Sequence, residues 1–129
     1  MSYHTQMEAA KQGEFTPQMA QVIATESISK DRLLEGVAGG RIVIPANKNH
    51  TNLLAGAVGE GLRTKINVNL GVSQDCCNLD MELRKVKDAV ALNADAIMDL
   101  STFGDTQLFR RKVLETAPVM IGTVPVYDA

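Results

Sequence analysis

Three short apolar runs recur at a fixed interval in the second half of the chain: KINVNLG (65–71), ADAIMDLS (94–101) and VMIGTVPVY (119–127). Asn69, Met98 and Tyr127 each stand near the C-terminal end of a run, and successive members are 29 residues apart. Between the runs the hydrophobic period lengthens from about two to about 3.6. Leu79, Leu83, Val86 and Val90 step along one helix face. In the next interval Asp105 or Thr106 can cap a helix carrying Leu108, Phe109, Val113 and Leu114, which Pro118 ends. The order is strand, helix, strand, helix, strand. One β-plus-α unit of a (β/α)8 barrel takes roughly 30 of its roughly 250 residues, so the register is that of consecutive barrel strands. A doubly wound open sheet has similar spacing but places a glycine-rich phosphate turn after its first strand. NLGVSQDCC contains no such turn.

The part before these runs reads differently. Thr16 and Pro17 form an N-cap and first-position pair for a helix with Met19, Val22 and Ile23 at helical spacing. Ser29 caps a second helix with Leu33, Leu34 and Val37 on its apolar stripe, and Gly39-Gly40 releases the chain through positive φ. Arg41 to Ile44 is a short β segment stopped by Pro45, followed by a polar turn to His50. The expected organisation is α/β: an N-terminal helical and β subdomain over residues 1–60, then the first three strands of a (β/α)8 barrel over 61–129, incomplete in this chain. Three parallel strands alone leave two unpaired edges and an uncovered face. The sequence is therefore expected to be the beginning of a larger protein.

KINVNLG gives half its surface to polar groups. Ile66, Val68 and Leu70 share one strand face and are expected to meet the helices; Lys65, Asn67 and Asn69 share the other, which points into the barrel. An unpaired buried amide costs roughly 1–3 kcal/mol, so two on one strand imply an internal hydrogen-bond network or a polar ligand. Asn67 fits either reading, inter-strand polar contact or ligand. Asn69, nearest the C-terminal mouth, is expected to touch a ligand.

Composition narrows the classes. With 13 basic and 15 acidic residues the formal charge is −2, so no global field attracts nucleic acid or an anionic membrane. No stretch approaches the roughly 18 apolar residues of a membrane span, and MSYHTQMEAAKQ lacks a secretory core; a cytoplasmic protein is expected. Cys76 and Cys77 are adjacent, a poor geometry for a disulfide and too few ligands for a metal. They read as buried or half-buried thiols. His4 is expected in a frayed terminus, and His50 in a turn or subdomain contact.

Five segments in order, TQMEAAKQGEFTPQM, GRIVIPANKNH, GEGLRTKINVNLGVS, ADAIMDLSTFGDT and PVMIGTVPVYDA, resemble the N-terminal part of the phosphomethylpyrimidine synthases, the thiamin-pyrimidine-forming lyases. The resemblance runs from about Thr5 to Ala129. It implies a (β/α)8 barrel enzyme that rearranges 5-aminoimidazole ribotide into 4-amino-2-methyl-5-(phosphomethyl)pyrimidine. It further implies a radical made from S-adenosylmethionine at a [4Fe-4S] cluster, carbon monoxide and formate as by-products, and zinc and a homodimer in the full-length enzyme. The family's ribotide-binding Asn, Met and Tyr fall on Asn69, Met98 and Tyr127. Its cluster segment, C-x-x-C-x4-C, and its late metal-binding histidines have no counterpart here, so no metal ligand and no catalytic residue is expected in this chain, and the fragment is expected to be inactive alone. Two other readings share these segments or this length: a 5-hydroxybenzimidazole synthase of cobamide biosynthesis acting on the same ribotide, and a non-catalytic truncated interaction module.

Overall fold

The computed structural model describes residues 3–128; Met1, Ser2 and Ala129, which carry the outer limits of the expected domains and of the resemblance, lie outside the described residues. The chain forms two compact units. One runs up to Ala46 and includes Leu54–Thr64; the other joins Asn47–Leu53 to the residues from Lys65 onward.

The first unit begins with α1 (Gln6–Lys11). The Thr5 hydroxyl accepts from Glu8 N at 3.0 Å, and the Glu8 carboxylate accepts from His4 N at 2.8 Å. This reciprocal cap ties His4 into the helix start, in place of the frayed end expected for it. In α2 (Pro17–Thr25) the Thr16 hydroxyl accepts from Met19 N at 3.2 Å, and Pro17 occupies a position whose N–H would have no helical partner. Ser29 caps α3 (Lys30–Ala38), and the chain leaves through Gly40 at φ +72°. Strand β1 (Ile42–Val43) pairs antiparallel with β2 (Val58–Gly59). A Cβ at Gly59 would lie 2.2 Å from Arg41 O, so only glycine allows this approach. Met19, Val22, Leu33, Val37, Ile42 and Ala57 fill the core between these elements.

The second unit contains β3 (Asn67–Leu70), α4 (Leu79–Ala91), β4 (Ala96–Asp99), α5 (Thr106–Thr116) and β5 (Met120–Thr123), then a 3-10 turn over Pro125–Asp128. The sheet order is β3-β4-β5, all parallel. Asn78 caps α4 and Asp105 caps α5 through their side-chain oxygens. Both helices contribute to one core: Val86 and Ala89 from α4, Phe109 and Val113 from α5, against Leu70 and Ile97 of the sheet. Two crossovers of one hand place both helices on the same side. Strand alternation sends Asn67, Asn69, Ala96, Met98, Met120 and Gly122 to the opposite face.

Ile66 departs from expectation: it is 59% exposed rather than packed on the helices. It stands one residue before β3, where the Asp95 carboxylate accepts its N–H at 2.8 Å, and the core beneath this strand is filled from Val68 and Leu70. His50 is buried in the turn expected of it, and its Nε2 donates to Ala117 O at the end of α5, at 2.8 Å. No closed barrel is present among the described residues, and no helix among them is long and apolar enough to cross a membrane.

Phe109 is fully buried whereas Leu92 is 81% exposed. Phe109→Ala is expected to lower unfolding free energy by about 3–5 kcal/mol, and Leu92→Ala by less than about 0.5 kcal/mol. Urea unfolding of the two variants checks this; indistinguishable midpoints would contradict the packing described.

Candidate functional site at the strand ends

In parallel α/β sheets the C-terminal strand ends, where loops from neighbouring strands converge, are the usual place for ligand chemistry. Asn69 and Met98 are direct cross-strand partners there, on the face away from the helices. Asn67 Nδ2 donates to Asn69 Oδ1 at 2.9 Å along the strand, and both residues are exposed. One amide thus orients the other and leaves the donor end of Asn69 on an open surface. Met98 leans across β5: a Cβ at Gly122, its partner on that strand, would lie 2.8 Å from Met98 Cε and 2.9 Å from Sδ. Gly122 therefore provides the space in which the thioether lies.

Tyr127 is placed differently from the strand position expected of it. The 29-residue interval is the true ladder register between β3 and β4, but Met98 pairs with Gly122, so Tyr127 falls beyond the end of β5. Pro125 cannot donate to a ladder and opens the 3-10 turn instead. In that turn Tyr127 N donates to Val124 O at 3.0 Å, and the side chain is 47% exposed. It lines a depression of about 440 Å³ with Thr102, Phe103, Thr106, Arg110 and Asp128. Asn69 lines another, of about 230 Å³, with Gly71, Ser73, Glu82 and Lys85.

The three strand ends are joined by a hydrogen-bond chain that sequence reading did not identify. Asp99, last residue of β4, has no side-chain exposure. Its Oδ1 accepts from Ser101 N at 2.9 Å and Ser101 Oγ at 2.5 Å; its Oδ2 accepts from Arg110 Nε at 2.8 Å. Ser101 Oγ in turn accepts from Val72 N, after β3, at 3.1 Å. Arg110 Nη1 donates to Asp128 Oδ2 at 2.5 Å, and Thr106 Oγ1 donates to the other Asp128 oxygen at 3.1 Å. A signal for this chain was available: Asp99 and Asp128 directly follow Met98 and Tyr127, and Val72 and Ser101 are separated by the same 29 residues. On the outer edge Glu82, 1% exposed, accepts from Gly71 N at 3.0 Å and from Lys85 Nζ at 2.6 Å. Gly71 itself, at φ +146°, would drive a Cβ to within 2.6 Å of Ser101 N, which presses the two loops together.

Charge follows geometry. The hydrogen bond from Arg110, then that from Thr106, holds the Asp128 carboxyl below its ordinary range. The hydrogen bond to Asp128, then that to Asp99, raises the Arg110 guanidinium further. Glu82 likewise raises the Lys85 ammonium.

An iron–sulfur cluster does not fit these residues. Cys76 and Cys77 are adjacent, and both are exposed, not buried or half-buried as expected, because they lie in the loop after β3, outside the core. Among the described residues no three His, Cys, Asp or Glu side chains are grouped to hold a metal ion.

The fold and the joined strand ends define a parallel βαβαβ segment of the α/β class with a polar rim. Sequence comparison places it further: the chain belongs to the Radical SAM ThiC family, whose model matches residues 5–129. It is 58% identical over 129 residues to the phosphomethylpyrimidine synthase of Clostridium tetani, covering 100% of this chain and 28% of that protein. The corresponding figures are 57%, 100% and 30% for the enzyme of that name from Pelotomaculum thermopropionicum, and 58%, 98% and 29% for that from Fusobacterium nucleatum. The chain thus spans under a third of the length of these curated relatives.

The depressed Asp128 pKa carries a sign. Its ion pair with Arg110 contributes stability in full above the ordinary carboxylate range and loses it as pH falls through the lowered folded value. Carboxyl-carbon NMR is expected to give Asp128 a midpoint below that of an ordinary aspartate, moving upward in Arg110→Gln; an unchanged midpoint in that variant would contradict the pairing.

Proposed function

We propose that this chain is part of a phosphomethylpyrimidine synthase of thiamin biosynthesis. In this reading 5-aminoimidazole ribotide becomes 4-amino-2-methyl-5-(phosphomethyl)pyrimidine, with carbon monoxide and formate as by-products. Residues 61–129 supply the first three strands of a (β/α)8 barrel, after an N-terminal subdomain of about residues 1–60. The observation that carries the reading is the 58% identity, over the whole of this chain, to a protein bearing that name. The parallel β3-β4-β5 order with helical crossovers supports the barrel assignment.

Asn69, Met98 and Tyr127 are the ribotide contacts in this reading. The exposed donors of Asn69 suit the aminoimidazole or a ribose hydroxyl. Met98, flat over Gly122, offers a polarizable wall to a planar heterocycle. Tyr127 offers a ring face and a hydroxyl within reach of a phosphate or sugar oxygen. S-adenosylmethionine and a [4Fe-4S] cluster, when bound, would supply the radical chemistry, and residues outside this segment would hold them, as they would zinc. The complete enzyme is a cytoplasmic homodimer in this account.

Two measurements test the assignment. The isolated 129-residue chain, given ribotide, S-adenosylmethionine and a reductant, is expected to form no phosphopyrimidine by chromatography, and turnover would refute the division of labour. In the complete enzyme Asn69→Ala is expected to lower kcat/KM roughly ten- to hundredfold, the worth of about 1–3 kcal/mol of lost hydrogen bonding. Unchanged kcat/KM would remove Asn69 from the substrate site, and formation of a hydroxybenzimidazole would redirect the whole reading.

A further inference from the structure

Tyr127 sits on the Pro125–Asp128 turn. The turn lies past the last ladder residue of β5, the Tyr127 N–H donates to Val124 O, and the side chain is about half exposed. Its neighbour Asp128 is gripped from α5 by Arg110 and Thr106. The same Arg110 is fixed at its other end to Asp99, the residue after Met98.

We propose that Arg110 is a positioning residue: by bridging Asp99 to Asp128 it sets where Tyr127 stands relative to Met98 and Asn69. This rests on the reading of Tyr127 as a ribotide contact. The anchored end is rigid, because Asp99 and Ser101 are fully buried and Phe109, beside Arg110 on the helix, belongs to the core. The far end is adjustable, since the Asp128 side chain is 33% exposed. A guanidinium suits this task because Nε and Nη1 lie in one plane at a fixed separation and here bond different carboxylates. A lysine has the charge but donates from a single point, so it lacks the fixed separation at which Nε and Nη1 meet the two carboxylates. Arg110 touches no reacting atom in this account; it acts through Asp128 on the adjacent tyrosine.

The test uses the complete enzyme and separates KM from kcat. Tyr127→Ala is expected to raise KM for the ribotide about tenfold, and Arg110→Lys to raise it about fivefold with kcat within twofold of the parent. In the Tyr127→Ala background Arg110→Lys is expected to add less than a twofold change, because the positioned group is gone. Arg111→Lys, an exchange at the exposed neighbouring arginine, is expected to leave KM unchanged. Asp128→Ala removes the acceptor of the same link at a half-open site and serves if Arg110→Lys does not fold. An Arg110→Lys effect that is absent, or that multiplies fully with Tyr127→Ala, overturns the positioning role while Tyr127 keeps its place. A KM unmoved by Tyr127→Ala overturns both.

Discussion

Asp99 is a carboxylate at the end of a central strand with no access to water, and the polar rim is arranged around satisfying it. A buried ion loses its hydration, so it persists only where hydrogen bonds and an opposite charge replace the water. Ser101 provides two donors from the loop after β4, and Arg110 provides the charge from α5. Each donor then has a second duty. Ser101 Oγ receives Val72 N from the loop after β3, and Arg110 reaches Asp128 in the turn after β5. One buried charge thereby orders three segments that belong to separate strands. Glu82 does the same at the outer edge, holding the chain at Gly71 as it leaves β3.

The two faces of the sheet have separate duties. The helix side is an apolar core in which α4 and α5 pack on Val68, Leu70, Ile97 and Ile121. The other side carries the Asn67–Asn69 amide pair and a thioether laid over a glycine. That arrangement answers why a strand such as NVNL devotes alternate positions to amides. Long side chains from the helices, Arg110 and Glu82, reach the strand ends and fix the loops without occupying the open face.

Much of this was legible in the sequence wherever the signal was local. Thr16-Pro17, Ser29 and Asp105 announced helix starts because a short oxygen-bearing side chain is what an orphaned N–H requires. The 29-residue interval announced a parallel ladder, and Asn69 and Met98 do pair. Tyr127 leaves the ladder that its spacing predicts: spacing counts residues, and Pro125 turns the chain out of the ladder before the interval is complete. β2 leaves no trace in the sequence, since two residues, the second a glycine, carry no periodicity. The cysteines were expected inside on their average behaviour, which says nothing of a loop that leaves a strand end. The Asp99–Arg110–Asp128 bridge was hidden for a different reason: charged residues in loops and on a helix read as surface until the fold brings them together.

We propose that this rim receives one ribotide through residues of three successive segments. A crystal structure of the complete enzyme with 5-aminoimidazole ribotide tests it most directly. The account predicts one ligand molecule with Asn69, Met98 and Tyr127 all within about 4 Å of it; a ribotide bound elsewhere, with these three side chains facing solvent, would contradict it.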